Sequence, residues 1–185
     1  DLATIRQRIL ARPVRSVAVV RLRRLFADRL VAPLATMLDW CLSQVDEANC
    51  GNFSVAGMAA DAGWSRTTVD RHFDDSCHST PSDFIAWVRV LLAVQLMVIR
   101  PQALAVVADQ VGLSSASALG RLVKKQTGLT VGGILERDAV AFVERKFIDV
   151  FGTKSEVRSI LSSNIEWPLA VTTQVQGSDD VASTP

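Results

Sequence analysis

Residues 52–81, NFSVAGMAADAGWSRTTVDRHFDDSCHSTP, read as a helix, a tight turn and a second helix. Val55, Met58, Ala59 and Ala62 recur at i, i+3, i+4 and i+7, which is one apolar helix face. Ser54 stands just before them as an N-cap. Gly63 follows the last of them, where a helix commonly ends in the left-handed conformation. Trp64 offers a bulky apolar plug for the turn, and Ser65 can cap the second helix. That helix buries Val69 and Phe73 at i, i+4. Its opposite face carries Arg66, Thr67, Asp70, Arg71 and Asp74, all polar. A short helix, a glycine turn and a second helix with a polar outer face is the plan of a helix-turn-helix DNA reader.

The pattern returns 49 positions later. Leu104, Val107, Ala108 and Val111 replace the first apolar set; Gly112, Leu113 and Ser114 replace Gly63, Trp64 and Ser65. One extra residue then enters. Leu119, Arg121, Val123 and Thr130 answer to Val69, Arg71, Phe73 and Thr80. A repeat of this length means one supersecondary unit used twice. Between the copies, residues 82–99 predict a helix, with Thr80 as cap, Pro81 in the first turn and Asp83 at the positive end of the dipole. Arg100-Pro101 ends it. Such a rod is roughly 27 Å long, which suits holding two reading helices near one DNA turn apart, roughly 34 Å.

Two helix-turn-helix units joined by one helix resemble the DNA-binding domain of the AraC/XylS family of transcription regulators, over about residues 33–135. In the first half the matching residues are Ala59, Gly63, Ser65, Arg71, Phe73, Pro81, Phe84, Ile85, Arg89, Ala93 and Leu96. In the second half they are Ala108, Val111, Gly112, Ser115, Ser117, Arg121, Lys124, Gly128 and Thr130. The most specific piece is GLSSASALGRLVKKQTGLT, residues 112–130. The resemblance implies an all-α, homeodomain-like fold: two helix-turn-helix subdomains (about 54–75 and 103–127) on a linker helix, with added N- and C-terminal helices. It also implies double-stranded DNA as partner, with RNA polymerase and a second copy of the chain, paired through the N- or C-terminal helices, as further candidates. Some positions depart from the family. Leu113 and Val123 replace aromatic residues, Val131 replaces the proline matched by Pro81, and His78 stands where Gly128 stands in the repeat. Asp74 and Asp75 occupy the places of Lys124 and Lys125 and would repel phosphate.

The family's base-reading positions fall on Thr67, Asp70 and Arg71 in the first copy. There an arginine can grip guanine at two points and a carboxylate can accept from cytosine. Arg66 and Thr68 are placed for phosphates. In the second copy the slots are Ser115, Ala116, Ser117, Gly120 and Arg121, with Lys124 and Lys125 toward the backbone. The competing reading pairs Arg71 and Arg121 with neighbours such as Asp74 or Asp75, simply to hold the fold.

Composition bounds the rest. The 185 residues are 49% hydrophobic and 21% charged, enough to build a packed core. The formal charge is only +1, so any basic surface is local. Cys41, Cys50 and Cys77 form an odd set without a CxxC, which fits free thiols in a reducing, cytoplasmic setting. His72, Cys77 and His78 match no common zinc spacing. No Gly-rich phosphate loop, GxSxG elbow or HExxH is present, so neither an enzyme nor a cofactor is expected. Residues 84–99 are very apolar but short for a bilayer, and a buried core helix is the expectation rather than a membrane span.

Residues 1–32 hold eight arginines against two aspartates. They read as a connector left from an upstream domain or as an auxiliary phosphate-binding arm. Within them 17–20 suggests a short strand and 22–31 a helix. The opening Asp, in place of Met, points to a trimmed fragment. Pro33 opens a helix carrying Leu34, Met37, Leu38, Cys41, Leu42 and Val45 on one side, ending near 49–51. Residues 136–151 predict another helix, with Val140, Phe142, Val143, Phe147 and Val150 apolar and Gly152 as its stop. Thr153 and Glu156 suggest a capping box within a helical extension, 136–167, and 168–185 reads as a flexible tail. The alternative function is a protein-interaction module that kept the fold and no longer reads DNA, motivated by the acidic first copy and the near-neutral charge.

Overall fold

The computed structural model describes residues 16–46, 53–77 and 79–152, and every regular element among them is helical. The capping box at 153–156, the tail, Cys50 and His78 lie outside the described residues.

The first helix, α1, covers 16–26. It replaces the short strand expected at 17–20. Ala18, Val19, Leu22 and Phe26 are buried, while Val17 and Val20 are exposed. That spacing is helical, and a run of four apolar residues cannot show it when read alone. The helix expected to reach Val31 instead stops in a turn after Phe26, where Arg29 N–H donates to Phe26 O at 3.1 Å.

Helix α2 (Ala32–Asp46) starts with Pro33 in its first turn and buries the six predicted residues. Its described end is Asp46, short of the expected 49–51, and 47–52 lie outside the described residues. Trp40 Nε1 donates to Asp61 Oδ2 at 2.9 Å, tying α2 to the next helix.

Helices α3 (Val55–Asp61) and α4 (Arg66–Ser76) form the first pair; α6 (Leu104–Gln110) and α7 (Ala116–Thr127) form the second. The two turns share one hydrogen-bond pattern. Gly63 N–H donates to Ala60 O and Trp64 N–H to Ala59 O; Gly112 N–H donates to Asp109 O and Leu113 N–H to Ala108 O. Both glycines are left-handed, with φ of 64° and 71°. That region strains a side chain, so glycine is the residue that fits both turns. The extra residue of the second copy falls before the cap. Ser115, not Ser114, accepts from Ala118 N and so matches Ser65, which accepts from Thr68 N. Ala62 was expected on the apolar face but is exposed at the end of α3.

Helix α5 (Pro81–Ile99) joins the pairs and is the centre of the core. Thr80 caps it through Asp83 N, with Pro81 in the first turn. By length and composition it could cross a membrane, but 67% of its apolar window is buried inside the fold, as in a core helix. Arg89, its one mid-helix cation, clamps the chain ahead of α3. It donates to Phe53 O at 2.6 Å and lies over the Phe53 ring, 4.9 Å from its centroid.

Helix α8 (Val131–Leu135) was not foreseen; Thr130 caps it through Gly133 N. Helix α9 (Ala139–Phe151) begins at its cap Asp138, slightly later than expected, and ends at Gly152. Its buried face is Ala139, Val143, Phe147, Ile148 and Phe151, whereas Val150 is exposed. Phe147 lies 4.9 Å from Phe26, 5.7 Å from Phe84 and 4.9 Å from Phe151. Phe84 in turn meets Phe73 at 5.5 Å. One aromatic cluster therefore joins α1, α4, α5 and α9, and both terminal helices build the core that holds the first pair.

Candidate nucleic-acid interface

Each pair presents one capped helix with a buried side and a polar side. On α4, Val69 and Phe73 are fully buried and fix the rotation of the helix; on α7, Leu119 and Val123 do the same. What remains outward on α4 is Arg66, Thr67, Arg71, Asp74 and Asp75, with Asp70 half-buried. On α7 it is Ser117, Arg121, Lys124 and Lys125, with Ala116 and Gly120 half-buried beside them. Ser115, exposed at the N-terminus of α7, serves as its cap.

The charges divide unevenly. Arg66 is drawn to Asp70 one turn on, at 3.3 Å, so each offsets the other. Arg71 forms no ion pair with a described residue, nor does Arg121 or Lys124. The competing reading, in which Arg71 and Arg121 brace the fold through Asp74 or Asp75, is not what the geometry gives. Helix α4 thus carries two arginines against three aspartates, while α7 carries three cations and no acid. The three α7 cations differ. Lys125 Nζ lies 3.6 Å from Asp83 Oδ1, and Lys124 is open. Thr68, expected on phosphate, is half-buried with its hydroxyl 2.9 Å from Ser65 Oγ, inside the cap.

The last turns of both outward helices meet the first turn of α5, Phe73 through Phe84 and Lys125 through Asp83.

Trp64, expected to plug the first turn, is half-buried and packs 4.9 Å from His72 of α4; a histidine eight residues on is no signal of that contact by itself. Other groups were missed. Arg23 Nε bonds Asp39 Oδ1 at 2.7 Å, so this arginine of the basic N-terminal region braces α1 on α2. Burial raises the Cys41 thiol well above its ordinary value and also raises Cys77, keeping both protonated at neutral pH.

A family model described as a helix-turn-helix domain matches residues 58–137, from within α3 to just past α8. No curated protein and no solved structure matches the chain. This part of the chain is similar to helix-turn-helix domains, in keeping with the two helix pairs described above. Helices α1, α2 and α9 lie outside the matched span and complete its core.

Proposed function

We propose that the chain is a sequence-specific, cytoplasmic transcription regulator that lays α4 and α7 in successive major grooves of double-stranded DNA. The observation that carries this reading is the repeated turn: the same two hydrogen bonds and the same left-handed glycine precede a capped helix with an exposed arginine that has no ion pair among the described residues, twice over. Arg71 and Arg121 are the guanine readers, since a free guanidinium can donate to O6 and N7 together. Thr67 and Ser117 lie one helical turn before them and add hydroxyl contacts. Ala116 offers a methyl surface to thymine. Lys124 and Lys125 engage phosphates, so α7 supplies most of the sequence-independent attraction and α4 a narrower choice of bases. The further partners under this reading are RNA polymerase and a second copy, paired through the edges of α1 or α9 that expose Val17, Val20 and Val150.

Fluorescence anisotropy against a library of duplex fragments tests the reading. A preferred fragment should emerge, bound more weakly as salt rises and lost with Arg121→Ala. The acidic α4 favours one other reading, a protein-interaction module on the same fold. Binding no tighter to any fragment than to bulk DNA at low salt, with a protein partner recovered, would establish that reading instead.

A further inference from the structure

Between Phe84 and Met97 the linker helix is apolar except at Arg89 and Gln95. Arg89 is accounted for by its clamp on Phe53. Gln95 is 1% exposed, and its amide Nε2 donates to Glu144 Oε1 of α9 at 3.0 Å. Its Oε1 is buried without a hydrogen-bond partner among the described residues. A buried amide oxygen without a donor is costly, and nearly all such groups in folded proteins find one. The Glu144 carboxyl, already held by the Gln95 amide, can supply a donor in its protonated form. Among the charged side chains of α1, α5, α8 and α9 and the turn after α1, those that act on Glu144 are Arg21, Arg29 and Asp138.

We propose that Glu144 and Gln95 form a proton-dependent latch between α9 and the linker helix. With the proton on, the Glu144 hydroxyl donates to Gln95 Oε1 while its carbonyl oxygen accepts from Gln95 Nε2. This closes a neutral acid–amide ring and satisfies both amide atoms. As pH rises, the proton passes to water. The carboxylate can no longer donate, Gln95 Oε1 is again unpaired, and Arg21 and Arg29 draw the new charge toward α1. Glu144 lies one turn before Phe147, so the latch bears on the aromatic cluster that also seats Phe73 of α4. The latch is independent of whether the chain reads DNA.

Burial pushes the Glu144 carboxyl up to about 7, against the lowering pull of Arg21 and Arg29. The folded chain therefore keeps a proton that the unfolded chain has released above the ordinary value of 4.5. The contribution is complete below that value and falls as pH rises toward about 7.

The test is carboxyl-carbon NMR of the glutamate-labelled full chain, assigned through bonds, together with hydrogen exchange of the α9 amides corrected for intrinsic rates. Glu144 should titrate near neutral pH. Protection of α9 should drop by about tenfold or more across the acid-to-neutral window. The drop should vanish in Glu144→Gln, whose side chain cannot ionise. A Glu144 resonance titrating near 4.5, or an unchanged pH dependence of α9 exchange in the variant, would overturn the latch. The wild-type titration stands alone should the variant fail to fold.

Discussion

Replacing Gly120 with alanine should make the protein more stable and a poorer DNA binder. Gly120 lies inside α7, and a Cβ built there meets nothing within 4 Å. The methyl therefore adds no clash, and removing the glycine lifts a helix-interior penalty of about 1 kcal/mol. Part of that gain acts through the unfolded chain, which loses conformational freedom. For a domain of this size the melting temperature should rise by about 2–4 °C. Binding should move the other way. The open backbone at Gly120 sits beside Ser117, Arg121 and Lys124, on the side assigned to the groove. A methyl held against base edges should cost about 1 kcal/mol, close to a fivefold loss of affinity. Thermal unfolding and anisotropy titration on one sample separate the two effects. An unchanged melting temperature would refute the helix argument. A stabilised variant with undiminished affinity would show that this side of α7 does not approach DNA.

Other substitutions probe the core and the charge asymmetry. Phe147→Ala removes the ring shared by α1, α5 and α9 and should cost about 3–5 kcal/mol in urea unfolding. Val150→Ala, on the exposed side of the same helix, should stay within about 0.5 kcal/mol. Lys124→Ala should weaken binding to all sequences and reduce the salt slope by about 1, measured by titration at several salt concentrations. Asp74→Lys should strengthen binding generally, because it replaces repulsion with attraction; no change in either variant at low salt would place these helix ends away from phosphate.

The parts of the fold that were legible in sequence are those written in local chemistry. Ser54, Ser65 and Thr80 cap the helices they precede, and Gly63 and Gly112 turn the chain where the apolar period stops. Val69, Phe73, Leu119 and Val123 are buried as their spacing requires. What was not legible depends on distant partners. Residues 17–20 look like a strand until Phe26 is seen against Phe147, more than a hundred residues away. Val150 fits an apolar stripe, yet α5 lies against Phe147 and Phe151 and leaves it outside. Ser114 and Ser115 are equivalent as caps on paper, and only the geometry of the longer second turn selects Ser115. In the candidate interface the outward positions followed from the period. The pairing of Arg66 with Asp70 and of Lys125 with Asp83, which decides which charges are free, came only from the structure.

The central claim is that both outward helices read DNA. Hydroxyl-radical footprinting on the preferred fragment measures this most directly. The account predicts two protected patches whose centres lie about one helical turn, roughly 34 Å, apart, with Arg71→Ala thinning one patch and Arg121→Ala the other. A single patch, unaffected by Arg71→Ala, would contradict it and leave α7 as the only reading helix.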